Sequence, residues 1–197
     1  MADPLSLGFD TSAAHCAAAL LSDERVLAQR HEDMARGQAE RLFPLLEEVL
    51  AEAGAGWGDL AVIGVGTGPG NFTGIRIAVA AARGLALSLK IPAVGVTVTE
   101  AAALDLPRPC RVILPSRQGE VIWQDFGTAT LTAPQQSPAH ELPPGPPQFE
   151  AQNPIAVAIA RIALARRGMA ALPRPAPVYL RPADAAPARD RGPLILK

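Results

Sequence analysis

Val65-Gly66-Thr67-Gly68-Pro69-Gly70-Asn71-Phe72-Thr73-Gly74-Ile75-Arg76 is the most informative part of this sequence. It joins a strand-like apolar run, residues 60–65, to a helix-like apolar run, residues 75–89. Four glycines and one proline lie at the junction. Glycine allows a positive φ or a very close approach of another group. The junction therefore suits either a phosphate-binding loop or close packing of one backbone against another.

Neither standard phosphate loop fits this junction. A Walker A loop requires a lysine and a hydroxyl residue after its last glycine, and no lysine follows a glycine here. A dinucleotide fingerprint requires Gly-x-Gly-x-x-Gly. Starting at Gly66 puts Asn71 in the last position, and starting at Gly64 puts Pro69 there. A generic tight turn and a non-standard phosphate loop both remain open.

Composition favours a protein that does not hold nucleic acid by itself. The 197 residues carry 18 basic and 19 acidic side chains, whereas nucleic-acid-binding domains usually have a basic excess. Cys16 and Cys110 are far apart, which predicts two buried free thiols in a reducing compartment. No basic start precedes a long apolar run, and the apolar stretches are shorter than the about 20 residues that span a bilayer. These features predict a cytoplasmic protein without a membrane segment.

The pattern along the chain predicts two domains. Residues 1–104 form the first, with three short strands, an amphipathic helix over 38–53, a mostly apolar helix over 75–89, a strand over 93–98 and a short helix capped by Thr99. Residues 105–197 form a smaller, proline-rich second domain. It is predicted to contain strands at 111–114 and 120–126, a loop with little regular structure at 134–147, and a helix that Asn153 caps.

Asp10-Thr11-Ser12 follows the first predicted strand and offers the clearest chemistry. An aspartate followed by hydroxyl residues before a hairpin is how the actin-like ATPase fold presents its first phosphate loop. Alternatively, Asp10 caps the turn with its own side chain. The candidate relic nucleotide site comprises Asp10, Thr11, Ser12, Gly68 and Gly70. No G-x-S-x-G elbow is present and the three histidines are widely separated, so we predict no catalytic residue and no metal site.

Four segments resemble the bacterial TsaB (YeaZ) family. The likeness is strong over residues 5–104 and patchy afterwards. Residues 64–76 are similar to the family signature G-x-G-P-G-S-F-T-G-[LV]-R. The other three segments are Leu7-Gly8-Phe9-Asp10-Thr11-Ser12, Ile91-Pro92-Ala93-Val94-Gly95-Val96 and Pro177-Val178-Tyr179-Leu180-Arg181.

The resemblance implies an α/β protein with the actin-like ATPase, ribonuclease-H-like fold: a mixed sheet with helices, in two halves of which the second is reduced here. It implies a non-catalytic scaffold that supports the TsaD transferase in forming threonylcarbamoyladenosine at position 37 of tRNAs reading codons that start with A. The TsaE ATPase is a further partner, a homodimer is an alternative, and tRNA is met only through the complex. No cofactor is required, although weak ATP or ADP binding is compatible with the relic site.

Two departures from the family pattern stand out. Asn71 replaces the usual serine, and since both are small and polar the turn should survive. Ser116-Arg117 lies where members often show Asp-Ala-Arg, so an acidic residue is lost. TsaD-like proteins place metal-binding histidines in the segment that corresponds to residues 96–102, and this chain has none there.

Two apolar helices in one small domain predict a partner interface. A single subunit cannot easily bury both, so we expect them to pack against the equivalent helices of a similar subunit. The alternative is that these residues fill the chain's own core. The runner-up function is a nucleotide-binding actin-like ATPase or kinase relative. The residues predicted to face the partner are Leu42, Leu46, Val49, Ile75, Val79 and Ala82.

Overall fold

The computed structural model describes residues 3–128 and 132–180. Its main element is a five-stranded mixed sheet with the order β3-β2-β1-β4-β5. β1, β2 and β3 form an antiparallel meander, whereas β4 and β5 lie parallel to β1. The mixed sheet with helices confirms the predicted α/β class. The strands are β1 (Leu5–Asp10), β2 (His15–Ser22), β3 (Arg25–Asp33), β4 (Leu60–Gly66) and β5 (Ala93–Val96).

Helices cover both faces of this sheet. α1 (Gln38–Glu52) and α2 (Phe72–Leu89) lie on one face, where Leu7 and Phe9 of β1 point. α4 (Ile155–Arg166) lies on the other face, against the alternate residues of β2. The short α3 (Val98–Ala102) packs beside α4. Because side chains alternate along a strand, β1 and β2 contribute to both cores.

α4 lies unusually close to the sheet because glycine and alanine face it. Gly8 of β1 pairs with Gly64 of β4, and both point at α4. A Cβ placed on Gly64 would lie 2.7 Å from the carbonyl oxygen of Ile159, and one on Gly8 would overlap that of Ala156. Although α4 lies in the half predicted as the second domain, it completes the core of the first.

The second sheet is antiparallel and three-stranded, in the order β6-β7-β8. Its strands are β6 (Cys110–Pro115), β7 (Glu120–Phe126) and β8 (Gln135–Pro138). The sequence correctly predicts β6 and β7. The expectation of little regular structure over 134–147 is wrong, because this segment contains β8 and the 3₁₀ turn Ala139–Glu141. A second 3₁₀ turn, Trp57–Asp59, precedes β4.

Two predicted helix caps are displaced by short distances. Thr97, not Thr99, caps α3, its hydroxyl accepting a hydrogen bond from the Glu100 amide. Thr99 is buried and contacts Gln124 of β7. Pro154 occupies the cap position of α4, while the Asn153 side chain contacts Asp105. Asparagine and threonine also find tertiary partners, which local spacing does not reveal.

α2 is, by length and composition alone, apolar enough to cross a bilayer, with a mean hydropathy of 1.4 over residues 72–89. This differs from the expectation that the apolar stretches are too short, because the helix begins at Phe72 and includes the polar residues that interrupt its apolar run. Core helices of water-soluble proteins meet the same criterion. Of this window 28% is buried, and its exposed residues include both Leu87 and the charged Arg76 and Arg83.

Arg111 ties the second sheet to the proline-rich segment that follows it. Its guanidinium forms two hydrogen bonds with the Asp125 carboxylate, of 2.5 and 2.7 Å, and donates a third to the carbonyl of Pro143 at 2.5 Å. The guanidinium also stacks on the Trp123 ring. The hydrogen bonds to Asp125 raise the pKa of Arg111. The planar guanidinium of arginine is required here because it contacts Asp125, Pro143 and Trp123 at the same time.

Arg111→Lys is therefore expected to lower the free energy of unfolding by about 2–3 kcal/mol, since a lysine loses the paired hydrogen bonds of a nearly buried ion pair. Urea denaturation followed by circular dichroism measures the change. Arg30→Lys is the matched control: the Arg30–Glu52 pair is more than two-fifths exposed and should contribute less than about 1 kcal/mol. Equal stability of both variants would show that the Arg111 contacts are not maintained in solution.

Candidate functional site

The glycine-rich junction packs against the loop that follows β1. The amide of Asn71 donates a 2.6 Å hydrogen bond to the carbonyl of Ser12. A Cβ on Gly70 would overlap that same carbonyl oxygen, and one on Gly74 would overlap the carbonyl oxygen of Thr11. These glycines are therefore explained by close packing of two backbone segments of this chain. Asn71 serves as the helix cap, since its Oδ1 accepts from the Gly74 amide at 3.0 Å.

The Asp10 carboxylate caps its own loop. Its Oδ2 accepts hydrogen bonds from the amide of Ser12 at 3.0 Å and from the Ser12 hydroxyl at 2.8 Å. His15 Nε2 lies 2.7 Å from the same oxygen. The other oxygen, Oδ1, is buried beside Gly66 and has no hydrogen-bond partner among the described residues. The turn-capping alternative for Asp10 thus matches the observed contacts.

The predicted relic nucleotide residues do come together at this point. Asp10, Thr11 and Ser12 meet the junction that carries Gly70 and Gly68, the latter at a φ of +85°. Their hydroxyls, however, are engaged within the chain: Thr11 Oγ1 donates to the Gly74 carbonyl at 2.7 Å, and Ser12 Oγ donates to Asp10. The arrangement leaves neither hydroxyl proton free for a phosphate.

Ser12, His15 and Asp10 do not form a catalytic triad. A serine nucleophile requires the histidine between the hydroxyl and the carboxylate. Here Ser12 and His15 both contact Asp10 Oδ2, so the carboxylate stands between them. Ser12 is also only 2% exposed. Across residues 3–128 and 132–180, no three or more His, Cys, Asp or Glu side chains are grouped so that they could hold a metal ion.

A cleft of about 1280 Å³ opens beside this junction. Asp10 and His15 of the first sheet line it together with Arg76 of α2, and the second sheet contributes Gln136 and the Arg117 turn. The cleft lies outside the carboxyl ends of β1 and β4, which are neighbours in the sheet. The strand that follows β1 in the chain, β2, lies on one side of this pair, and the strand that follows β4, β5, lies on the other side. Open α/β sheets bind ligands at this position.

A segment near the carboxyl terminus closes one side of the cleft. The sequence predicts an ordered motif at Pro177-Val178-Tyr179-Leu180-Arg181, of which Arg181 lies outside the described residues. The amide of Val178 donates a 2.8 Å hydrogen bond to the carbonyl of Thr67. The Tyr179 ring packs 4.8 Å from that of Phe72, and Arg76 Nε donates to the Tyr179 hydroxyl at 2.9 Å. The motif itself is visible in the sequence, but its contact with α2 is not.

The six residues predicted to face a partner are instead buried in the core of this chain. All are at most 3% exposed and belong to the core between α1, α2 and the sheet. Apolar spacing identifies the helix stripe that packs on the sheet, which is why these positions were selected. A partner that contacts these helices and leaves the fold intact must contact their opposite stripe. The buried residues are Leu42, Leu46, Val49, Ile75, Val79 and Ala82.

The opposite stripe of α2 is mixed, with small and apolar residues flanked by the exposed arginines Arg76 and Arg83. Ala80, Gly84 and Leu87 follow helical spacing on the exposed side, and Leu87 is 81% exposed. A Cβ on Gly84 would meet nothing within 4 Å. On the adjacent α1, Phe43 is 44% exposed and packs 6.5 Å from the Trp57 ring. We call these residues, together with Ile77, the outward face.

The cysteines are not placed for catalysis. Both are buried, and burial raises the pKa of the Cys16 thiol to about 11, with the nearby Glu32 carboxylate adding to the effect. The thiolate is the reactive form. We therefore expect iodoacetamide to label Cys16 of the native protein at pH 8 at least about a hundredfold more slowly than in the urea-unfolded chain. Rapid stoichiometric labelling of the native protein, read by mass spectrometry, would contradict the burial described.

A family model described as TsaD: tRNA N6-adenosine threonylcarbamoyltransferase matches residues 25–139, more than half of the chain. No curated protein matches the sequence. Two solved structures are similar over most of the chain. One is a protein with similarity to peptidase YeaZ from Pseudomonas aeruginosa, at 26% identity and a TM-score of 0.69, covering 90% of this chain and 100% of that one. The other is YeaZ from Pseudomonas aeruginosa, at 27% identity and a TM-score of 0.66, covering 83% of this chain and 93% of that one.

Proposed function

Because the chain belongs to the TsaD family and is YeaZ-like in structure, we propose that it is an accessory, non-catalytic subunit of a tRNA-modifying complex. In this role it binds and supports a paralogous TsaD transferase that forms threonylcarbamoyladenosine at position 37 of tRNAs reading codons that start with A. The single observation that carries the proposal is the outward face, where Leu87 and Phe43 are exposed beside the small residues of α2.

The junction supports a non-catalytic role. The polar groups of this loop form hydrogen bonds within the chain. Ser12 donates to the Asp10 carboxylate, and the Thr11 hydroxyl donates to the backbone carbonyl of Gly74. The segment that corresponds to the metal ligands of TsaD-like proteins carries Thr97 and Thr99, which cap α3 and contact β7. The role that we propose requires no cofactor in this chain, and any ATP or ADP binding would be weak. One relative is described as similar to a peptidase. In this chain the Ser12 hydroxyl and His15 both contact Asp10, and no serine–histidine contact forms at Ser12.

The outward face suits a helical partner of the same fold. Small side chains at Ala80 and Gly84 allow a second helix to approach closely, while Leu87 and Phe43 offer apolar area around them. A paralogue with the same α1 and α2 presents a matching pair of helices. We propose the TsaD paralogue as the occupant in the cytoplasm, with the TsaE ATPase joining the pair and tRNA bound only through the complex. A second copy of this chain is the competing occupant in the absence of TsaD.

The test is complex formation between the purified chain and the TsaD paralogue from the same organism. Light scattering on a sizing column gives the mass of the mixture and of each protein alone. We expect a one-to-one complex that replaces any homodimer when TsaD is added. Separate elution of the two proteins at micromolar concentrations, with and without ATP and TsaE, would refute the proposed role.

A further inference from the structure

Arg76 is an exposed arginine whose orientation is already fixed. Its guanidinium stacks on the Phe72 ring with the carbon 3.7 Å from the ring centroid. Its Nε donates to the Tyr179 hydroxyl at 2.9 Å. No ion pair between described residues includes Arg76, so its terminal amino groups have no carboxylate partner in that part of the chain. An arginine held in this way loses little conformational freedom when it binds an oxyanion.

Arg117 contributes a second guanidinium from the other wall of the cleft. It lies exposed in the turn between β6 and β7 and lines the same cleft as Arg76. Among the described residues it too forms no ion pair. Of the described residues that line the cleft, only Asp10 is acidic, and its Oδ2 already holds Ser12 and His15. No described residue that lines the cleft therefore neutralises the two guanidinium groups.

We propose that the cleft binds a small polyanion, bearing two or more phosphate or carboxylate groups, between Arg76 and Arg117. Guanidinium groups bind both kinds of oxyanion through paired, charge-assisted hydrogen bonds. Gln136 also lines the cleft, but its amide nitrogen already donates to Ser116 and Glu120, so the two arginines carry the binding. The two guanidinium groups supply the positive charge that balances the polyanion, so binding requires no magnesium ion.

The proposal is tested by isothermal titration of the full chain with pyrophosphate and, separately, with citrate, at constant ionic strength and with EDTA present. We expect one of the two to bind, and the better probe identifies phosphate or carboxylate as the preferred group. Arg117→Gln should weaken binding about tenfold, since it removes one charged partner from an exposed turn. Tyr179→Phe, which frees Arg76 without removing its charge, should weaken binding by a smaller factor.

Arg83→Gln is the matched control, because Arg83 is exposed on the same helix, does not line the cleft and should leave binding unchanged. Three outcomes would overturn the proposal: no heat with either probe up to about 10 mM, equal losses for Arg83→Gln and Arg117→Gln, or binding that requires magnesium and ignores Arg117. The proposed accessory role is separate, since complex formation with the TsaD paralogue is measured without either probe.

Discussion

Gly8→Val is expected to lower the free energy of unfolding by at least about 4 kcal/mol, which is enough to unfold many domains of this size. A Cβ at this position would lie 2.6 Å from the amide nitrogen and 2.8 Å from the Cβ of Ala160, and would overlap the carbonyl oxygen of Ala156. These are backbone atoms and the first side-chain carbon of α4. The clash is therefore relieved only by moving the helix off the sheet, which exposes the core that Ala17, Ala19 and Leu21 form with α4.

Thermal and urea denaturation followed by circular dichroism measure this effect. Gly168→Val serves as the control, because a Cβ on Gly168 meets nothing within 4 Å and the residue is exposed. The control should change stability by less than about 1 kcal/mol. If Gly8→Val unfolds at the same urea concentration as the unaltered protein, α4 does not pack on β1 as described.

Gly84→Arg is expected to weaken the complex with the TsaD paralogue by at least about a hundredfold while leaving the fold intact. The position is exposed, open space surrounds its Cβ, and replacing glycine within a helix favours the helix by up to about 1 kcal/mol. In the complex the same side chain would bring a further long charge, beside those of Arg76 and Arg83, into the centre of the outward face. Burying such a charge without a partner is strongly unfavourable.

Three variants separate an interface effect from a general one. Gly84→Ala should bind nearly as well as the unaltered chain, because a methyl group adds little volume. Gly168→Arg introduces the same charge at another exposed, open position and should not change affinity. Surface plasmon resonance against immobilised TsaD gives the affinities. Undiminished binding of Gly84→Arg would move the interface away from α2.

Local pattern predicts most of the elements but not how distant ones meet. Strands β6 and β7 and helices α1 and α2 follow from periodicity and from turn residues, to within a few residues at their ends. The sequence does not indicate that α4 returns to the first sheet, because that contact depends on the absence of side chains at Gly8 and Gly64. Likewise, the Val178–Thr67 hydrogen bond joins residues more than a hundred positions apart.

For the candidate sites too, the sequence predicts where residues lie along the chain but not what their side chains contact. Asp10 and its loop are located correctly by spacing, but whether its carboxylate faces a phosphate or its own turn is decided by the Ser12 and His15 contacts. The helices of the proposed interface are also evident, yet apolar periodicity selects the stripe that packs inward, such as Leu46. Small residues at an exposed position, such as Gly84, give no hydrophobic signal and become visible only once burial is known.

The most direct measurement is threonylcarbamoylation of a tRNA that reads codons starting with A, in a reaction containing the TsaD paralogue, TsaE, ATP and a threonylcarbamoyl donor. Mass spectrometry of the digested tRNA quantifies the modified nucleoside. We predict that product forms only when this chain is added, and that Gly84→Arg fails to support it whereas Gly168→Arg succeeds. Equal product with and without the chain would contradict its assignment as the accessory subunit.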